Sequence, residues 1–282
     1  MNISINSVPA DITLDTEKTL GDVLSGIEQW ISPTGNRIRG IAVNGILLKD
    51  NDLAALFNKD ICEIKDLDID VSSWRELAAE ALYDLLSVCT AFGNAAFSGR
   101  GEIASGWDNS PASRFIKTDI PGIYELVCSM FSGEGLTAQG LCILIEERLR
   151  EVTNPAQEIA SSETLVFAIA GRMAELPLDI QTGKDQQAAE TMQLFSRVGE
   201  KLFRIFSIYK SEGLSLDTFI INGQPARIFM EEFNAALGEL SDAYENNDTV
   251  LVGDLAEYEL SPRLLNFFSA LKDFMAPPAL PV

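Results

Sequence analysis

The sequence predicts an α+β chain, with a small sheet-and-helix domain over residues 1–71 followed by a larger all-α helical bundle over 72–282. Three observations carry that prediction. Apolar residues alternate with period two in the first segment, at Ile3 and Ile5 and again at Leu67, Ile69 and Val71. From residue 72 onward they recur every three or four positions, the period of a helix with one buried stripe. At the junction, Ser73-Trp74-Arg75-Glu76 has the form of a capping box, in which a Ser hydroxyl and a Glu carboxylate satisfy the first free N–H groups of a helix.

In chain order, Ile3, Ile5 and Val8 form a short strand, Pro9-Ala10-Asp11 a turn, and Ile12 and Leu14 the start of a return strand. Thr16 or Thr19 then caps a helix whose stripe is Leu20, Val23, Leu24, Ile27 and Ile31, ended by Ser32-Pro33-Thr34-Gly35-Asn36. Ile38 to Leu48 is a β-rich run broken by the hairpin pair Asn44-Gly45. A short helix follows near Leu53–Phe57, and then a last strand whose other face carries Asp66, Asp68 and Asp70.

That β-β-α-β order, with the opening hairpin Ile3–Leu14, the central Ile41-Ala42-Val43-Asn44-Gly45, and Asn58–Ile64 leading into the last strand, resembles the β-grasp fold. This is the ubiquitin-like family that includes the ThiS and MoaD sulfur carriers. The resemblance covers about a quarter of the chain and implies a β-grasp domain there. The carriers act through a free C-terminal Gly-Gly. Here the last strand runs directly into Ser72-Ser73-Trp74, so carrier chemistry does not transfer.

Beyond residue 72, Trp74, Leu77, Ala81, Leu85, Val88 and Phe92 line one helix. Further helices are expected at about 121–131, 137–152, 162–176, 185–210, 225–245, 250–260 and 262–275. The bundle subdivides, if at all, near Asn154-Pro155. Nine of the fifteen Phe fall between Phe195 and Phe274, which places the main aromatic core there. Phe219-Ile220-Ile221 reads either as a brief strand or as an extended lead into the next helix. The Pro-rich 276–282 segment should lie extended on the surface.

Composition removes many chemistries. The chain of 282 residues has no histidine, so Ser-His-Asp and Cys-His pairs, H-E-x-x-H zinc sites and Glu-x-x-His di-iron sites are excluded. Its 42 acidic residues against 21 basic ones give a charge of −21, which repels nucleic acid and anionic lipid; neither is expected as a partner. Cys62, Cys89, Cys128 and Cys142 form no C-x-x-C pair and suit a reducing compartment. The N-terminus lacks the pattern of a secretory signal, and no apolar run approaches the roughly 20 residues of a membrane span. The expected location is cytoplasmic.

The residual motifs favour structural readings. Asp66-Leu67-Asp68-Ile69-Asp70 opens like a calcium loop but has Val71 and Leu77 where Gly and Glu are needed. Gly183-Lys184-Asp185 ends like a phosphate loop but lacks its first Gly and its Ser/Thr, and is better read as a helix break and cap. Arg148 and Arg150 after Glu146-Glu147 read as surface pairing worth little. Asp254, Glu257 and Glu259 read as a solvated helix face. No cofactor or metal is expected.

The segment Phe97 to Ile120 holds Gly99, Gly101, Gly106 and Pro111 and shows little periodicity, so it reads as a long loop. It gathers Arg100, Trp107, Arg114, Phe115 and Lys117 in an otherwise acidic protein. It is either a mobile connector or a contact loop for an anionic or aromatic-binding partner. The function expected is therefore that of a non-enzymatic interaction or scaffold protein, binding a protein partner through the β-grasp surface or helical grooves. The alternatives are an acidic export or assembly chaperone, and a His-free enzyme or enzyme accessory subunit.

Overall fold

The computed structural model describes residues 1–246 and 248–276 and is α+β, a mixed sheet followed by helices. Strands β1 (Asn2–Ile5), β2 (Val8–Pro9), β3 (Asn36–Val43), β4 (Ile46–Leu47) and β5 (Asp66–Ser73) form one sheet in the order β2-β1-β5-β3-β4. β1 runs parallel to β5, and the other pairs are antiparallel. Helix α1 (Leu20–Ile31) links the two halves, and α2 (Asp50–Leu56) precedes β5. Leu20, Val23, Leu24, Ile27 and Ile31 of α1 share a core with Ile3, Ile41, Val43, Leu67 and Ile69 of the strands. Thr19 caps α1, and the N–H groups of Lys18 and Thr19 hold the Asp22 carboxyl below its ordinary range.

The first hairpin departs from the expected register. Its turn is Asn6-Ser7, both at positive φ (50° and 63°), so the return strand is Val8–Pro9 and not Ile12–Leu14. The cause is side-chain chemistry at Asn6. Its amide donates to the Val71 carbonyl at 3.0 Å, and its oxygen accepts from the Val71 N–H at 2.7 Å. Those bonds fasten the turn to β5, and Asn tolerates the left-handed backbone. Asn44-Gly45 makes the expected turn between β3 and β4, with the Asn44 oxygen accepting from the N–H groups of Lys65 and Asp66.

The helical part begins at α3 (Trp74–Asn94), and its capping box is formed: the Ser73 Oγ accepts from the Glu76 N–H at 3.2 Å, and Glu76 Oε2 accepts from the Ser73 N–H at 2.9 Å. Ser73→Ala should lower stability by about 1 kcal/mol, read as a lower urea midpoint at unchanged slope.

The expected loop from Phe97 to Ile120 is helical instead. It forms a single 3-10 turn at Phe97–Gly99, then α4 (Arg100–Asp108) and α5 (Pro111–Asp119). The residues read as breakers are helix starts. Gly99 precedes the first residue of α4, Ser110 caps α5 by accepting from the Ser113 N–H at 3.0 Å, and Pro111 occupies the first turn, where no N–H is needed. Helices of nine residues are too short to display their period in sequence.

α6 (Pro121–Ser132) and α7 (Ala138–Thr153) follow, then α8 (Pro155–Gln181), α9 (Asp185–Ser211), α10 (Ala226–Glu245), α11 (Thr249–Asp254), a turn of π-helix at Leu255–Leu260, and α12 (Ser261–Met275). Of the two readings of 219–221, the brief strand is realised, as β6 (Ile220–Ile221) paired with β7 (Gln224–Pro225) around Asn222-Gly223. The 276–282 expectation lies outside the described residues from Pro277 onward.

The change of period near residue 72 marks the end of the sheet, and the compact units divide further on. One comprises Met1–Glu146 with Ser211–Gly213; the other comprises Glu147–Lys210 and the chain from Leu214. The division falls inside α7, ahead of Asn154-Pro155. In the second unit α8, α9, α10 and α12 share one core, in which Phe267, fully buried, has its ring centroid 5.0 Å from that of Phe203 and 5.6 Å from that of Phe206.

Candidate interaction site

Three groups of residues bear on function. The first lies on the N-terminal domain. Trp30, in the last turn of α1, points away from the buried stripe and is 67% exposed. It separates two apolar grooves. One, of about 580 Å³, runs between α1 and the extended chain Ala10–Leu14, with Val23, Ile27 and Trp30 on one wall and Ile12 and Leu14 on the other. Its floor is open at Gly26, where an added Cβ would meet no heavy atom within 4 Å. The other, of about 530 Å³, takes Trp30 together with Val8, Pro9 and Val71 at the β2 edge of the sheet. Val8 is itself 65% exposed.

The local sequence explains this arrangement. With the hairpin closed early at Asn6-Ser7, the last bond to β1 is from the Ala10 N–H to the Ile3 carbonyl at 2.9 Å, and the chain beyond it passes alongside α1. Asp11 and Glu17 supply negative charge at the first groove. The N–H groups of Glu17 itself and of Thr16 hold the Glu17 carboxyl ionised below its usual range. Sequence periodicity places Trp30 off the buried stripe but does not show that grooves flank it, because they depend on the path of residues 10–14.

The second group is the set singled out in sequence. Arg100 opens α4, and its guanidinium lies 5.0 Å from the centroid of the Phe92 ring. Trp107 is 2% exposed and belongs to the interior, which withdraws it from any contact surface. Arg114 and Lys117 are exposed on α5, with Lys117 over the Tyr124 ring at 5.3 Å. Phe115 is partly buried, with its ring 6.3 Å from that of Trp74. Of the five, Arg100 lines a cavity.

The third group takes in Arg148, read in sequence as surface pairing, and is a partly buried charge network in the second unit. Glu151 is 1% exposed and accepts from Arg204 Nε at 3.1 Å and Nη2 at 2.9 Å, and from Arg148 Nη1 at 3.2 Å. Burial pushes the Arg148 guanidinium below its ordinary value, opposed by Glu151. Beside it, Lys201 reaches Glu158 at 2.6 Å. No local spacing signals a pair 53 residues apart. Hydrogen-bonded across three helices, this network joins α7, α8 and α9.

Lys184 is 3.1 Å from the carboxylate of Asp179, itself 6% exposed, and Gly183 (φ +71°) breaks the chain after α8. Glu259 pairs with Arg263 at 2.7 Å. Burial pushes the Cys89 thiol up to about 12, so it stays protonated and is a poor nucleophile. Among the described residues, no group of three or more Cys, Asp or Glu is placed to hold a metal, and no helix is long and apolar enough to cross a membrane.

Comparison with known proteins finds similarities in two separate parts of the chain. Residues 1–73 match the TP0873 N-terminal domain family, and residues 157–269 match a domain of unknown function, DUF8042. The chain is 24% identical over 263 residues to an uncharacterized protein of the bacterium Treponema pallidum (strain Nichols), spanning 93% of this chain and 92% of that one. No solved structure matches it.

Proposed function

We propose that this chain is a non-enzymatic, cytoplasmic interaction protein whose N-terminal domain, a β-grasp fold, grips a protein partner through Trp30 and the two grooves beside it. The strand order β2-β1-β5-β3-β4, with a single parallel pair at β1–β5, supports the β-grasp reading. The observation that carries the function is an exposed Trp set between two apolar grooves. Trp is among the residues enriched at interface hot spots, offering a large rigid apolar area with one polar handle. The occupant that fits is an extended segment with apolar side chains at alternate positions and a basic flank facing Asp11 and Glu17. Four free cysteines support a reducing setting.

The test is co-purification after crosslinking in the native cell. Wild type should recover a stoichiometric protein partner, Trp30→Ala should lose at least tenfold of it, and Trp30→Phe should retain most of it. Trp30 is exposed, so the melting temperature of the alanine variant should hardly move. Recovery of the chain alone, or a partner indifferent to Trp30→Ala, overturns the reading.

A further inference from the structure

A cavity of about 700 Å³ lies in the first compact unit among the end of α3, the start of α4, the end of α6 and the start of α7. Its volume is that of a small-molecule site. Its lining is chemically unlike the rest of this protein. In a chain with 42 acidic residues no carboxylate lines it, and its one charged side chain is Arg100. Arg37 and Arg39 of the same unit each meet a carboxylate, at 2.6 Å from Asp119 and 3.1 Å from Glu80. Arg100 meets none among the described residues. Its guanidinium is held on the face of Phe92, and its Nε is buried with no hydrogen-bond partner.

No carboxylate among the described residues neutralises this guanidinium, so its charge favours an anion in the cavity that it lines. Stacking on Phe92 restrains the planar guanidinium, and its fork of N–H groups matches two oxygens of a carboxylate or phosphate. The start of α7 reinforces the same sign. Thr137 caps it by accepting from the Gly140 N–H at 3.2 Å, and Ala138 and Gln139, whose N–H groups have no partner within the helix, line the cavity. Met130 and Leu136 complete an apolar wall.

We propose that this cavity binds a small organic oxyanion, its carboxylate or phosphate held by Arg100 and the first turn of α7 and its apolar body set against Met130 and Leu136. The site is independent of the Trp30 grooves, and binding there implies no turnover.

The test is calorimetric titration of the full chain with phenylacetate and with phenyl phosphate, which separate the two oxyanion chemistries, and with neutral phenylacetamide as control. Saturable one-to-one binding of at least one anion is expected, with none of the amide. Arg100→Gln should weaken binding at least tenfold. Gln139→Glu provides a second variant that keeps the fold, because a carboxylate in the first turn favours the helix while it repels an anion in the cavity; it too should cost tenfold or more. Absence of saturable heat from both anions in the wild type overturns the proposal. So does affinity that survives either substitution in a folded variant.

Discussion

Glu151→Ala should lower the unfolding free energy by about 3–5 kcal/mol, the usual cost of removing one partner from a buried ion pair. The carboxylate is almost fully buried and takes three hydrogen bonds from Arg148 and Arg204, so its removal leaves two guanidinium groups facing one another in a poorly solvated space. Glu147, 3.6 Å from each, lies too far to replace those bonds and softens the loss only in part. Urea denaturation followed by far-UV circular dichroism measures the effect. Replacing Glu151, Arg148 and Arg204 together by Leu, Met and Met should recover most of the stability, since the charges then vanish with their desolvation cost. A loss below about 1 kcal/mol for Glu151→Ala would show that water reaches the carboxylate and that the pair behaves like a surface one.

Phe267→Ala should cost a similar amount, about 3–5 kcal/mol, by deleting a fully buried ring from the centre of the aromatic core. Its neighbours Phe203, Phe206 and Phe229 belong to different turns of α9 and α10, so no single side chain can collapse into the space. Urea denaturation gives the magnitude, and amide exchange places it. Protection should fall in α9, α10 and α12 while the β1–β5 amides keep theirs, because all of those rings lie in the second compact unit. Loss confined to α12 would mean that the helix docks late and contributes little to the shared core.

Legibility differed sharply between local and non-local features. Asn44-Gly45, the capping box at Ser73–Glu76 and the stripe of α1 are short-range signals, and the structure uses each of them as written. The hairpin at Asn6-Ser7 was misplaced because its turn is held by a residue 65 positions away, Val71, and Pro9-Ala10-Asp11 offered a stronger local signal. The helices α4 and α5 were hidden because glycine and proline mark helix starts as well as loops, and two nine-residue helices give the apolar period no room to repeat.

The same division runs through the candidate sites. Arg100 and Trp107 stood out in sequence as a cation and an aromatic gathered in one segment of an acidic chain; the structure then places one at a cavity wall and the other in the interior. The amino-acid sequence alone determined the α+β order, the change of period near residue 72 and the absence of any imidazole chemistry, because each depends on residue identity or on spacing within a few turns. Only the tertiary structure decided that Glu151 is buried between two arginines, that Trp30 stands between two grooves and that Arg100 faces a cavity free of carboxylates. Those properties arise from segments far apart in the chain meeting in space, and the energy of a charge or an aromatic ring is set by what surrounds it.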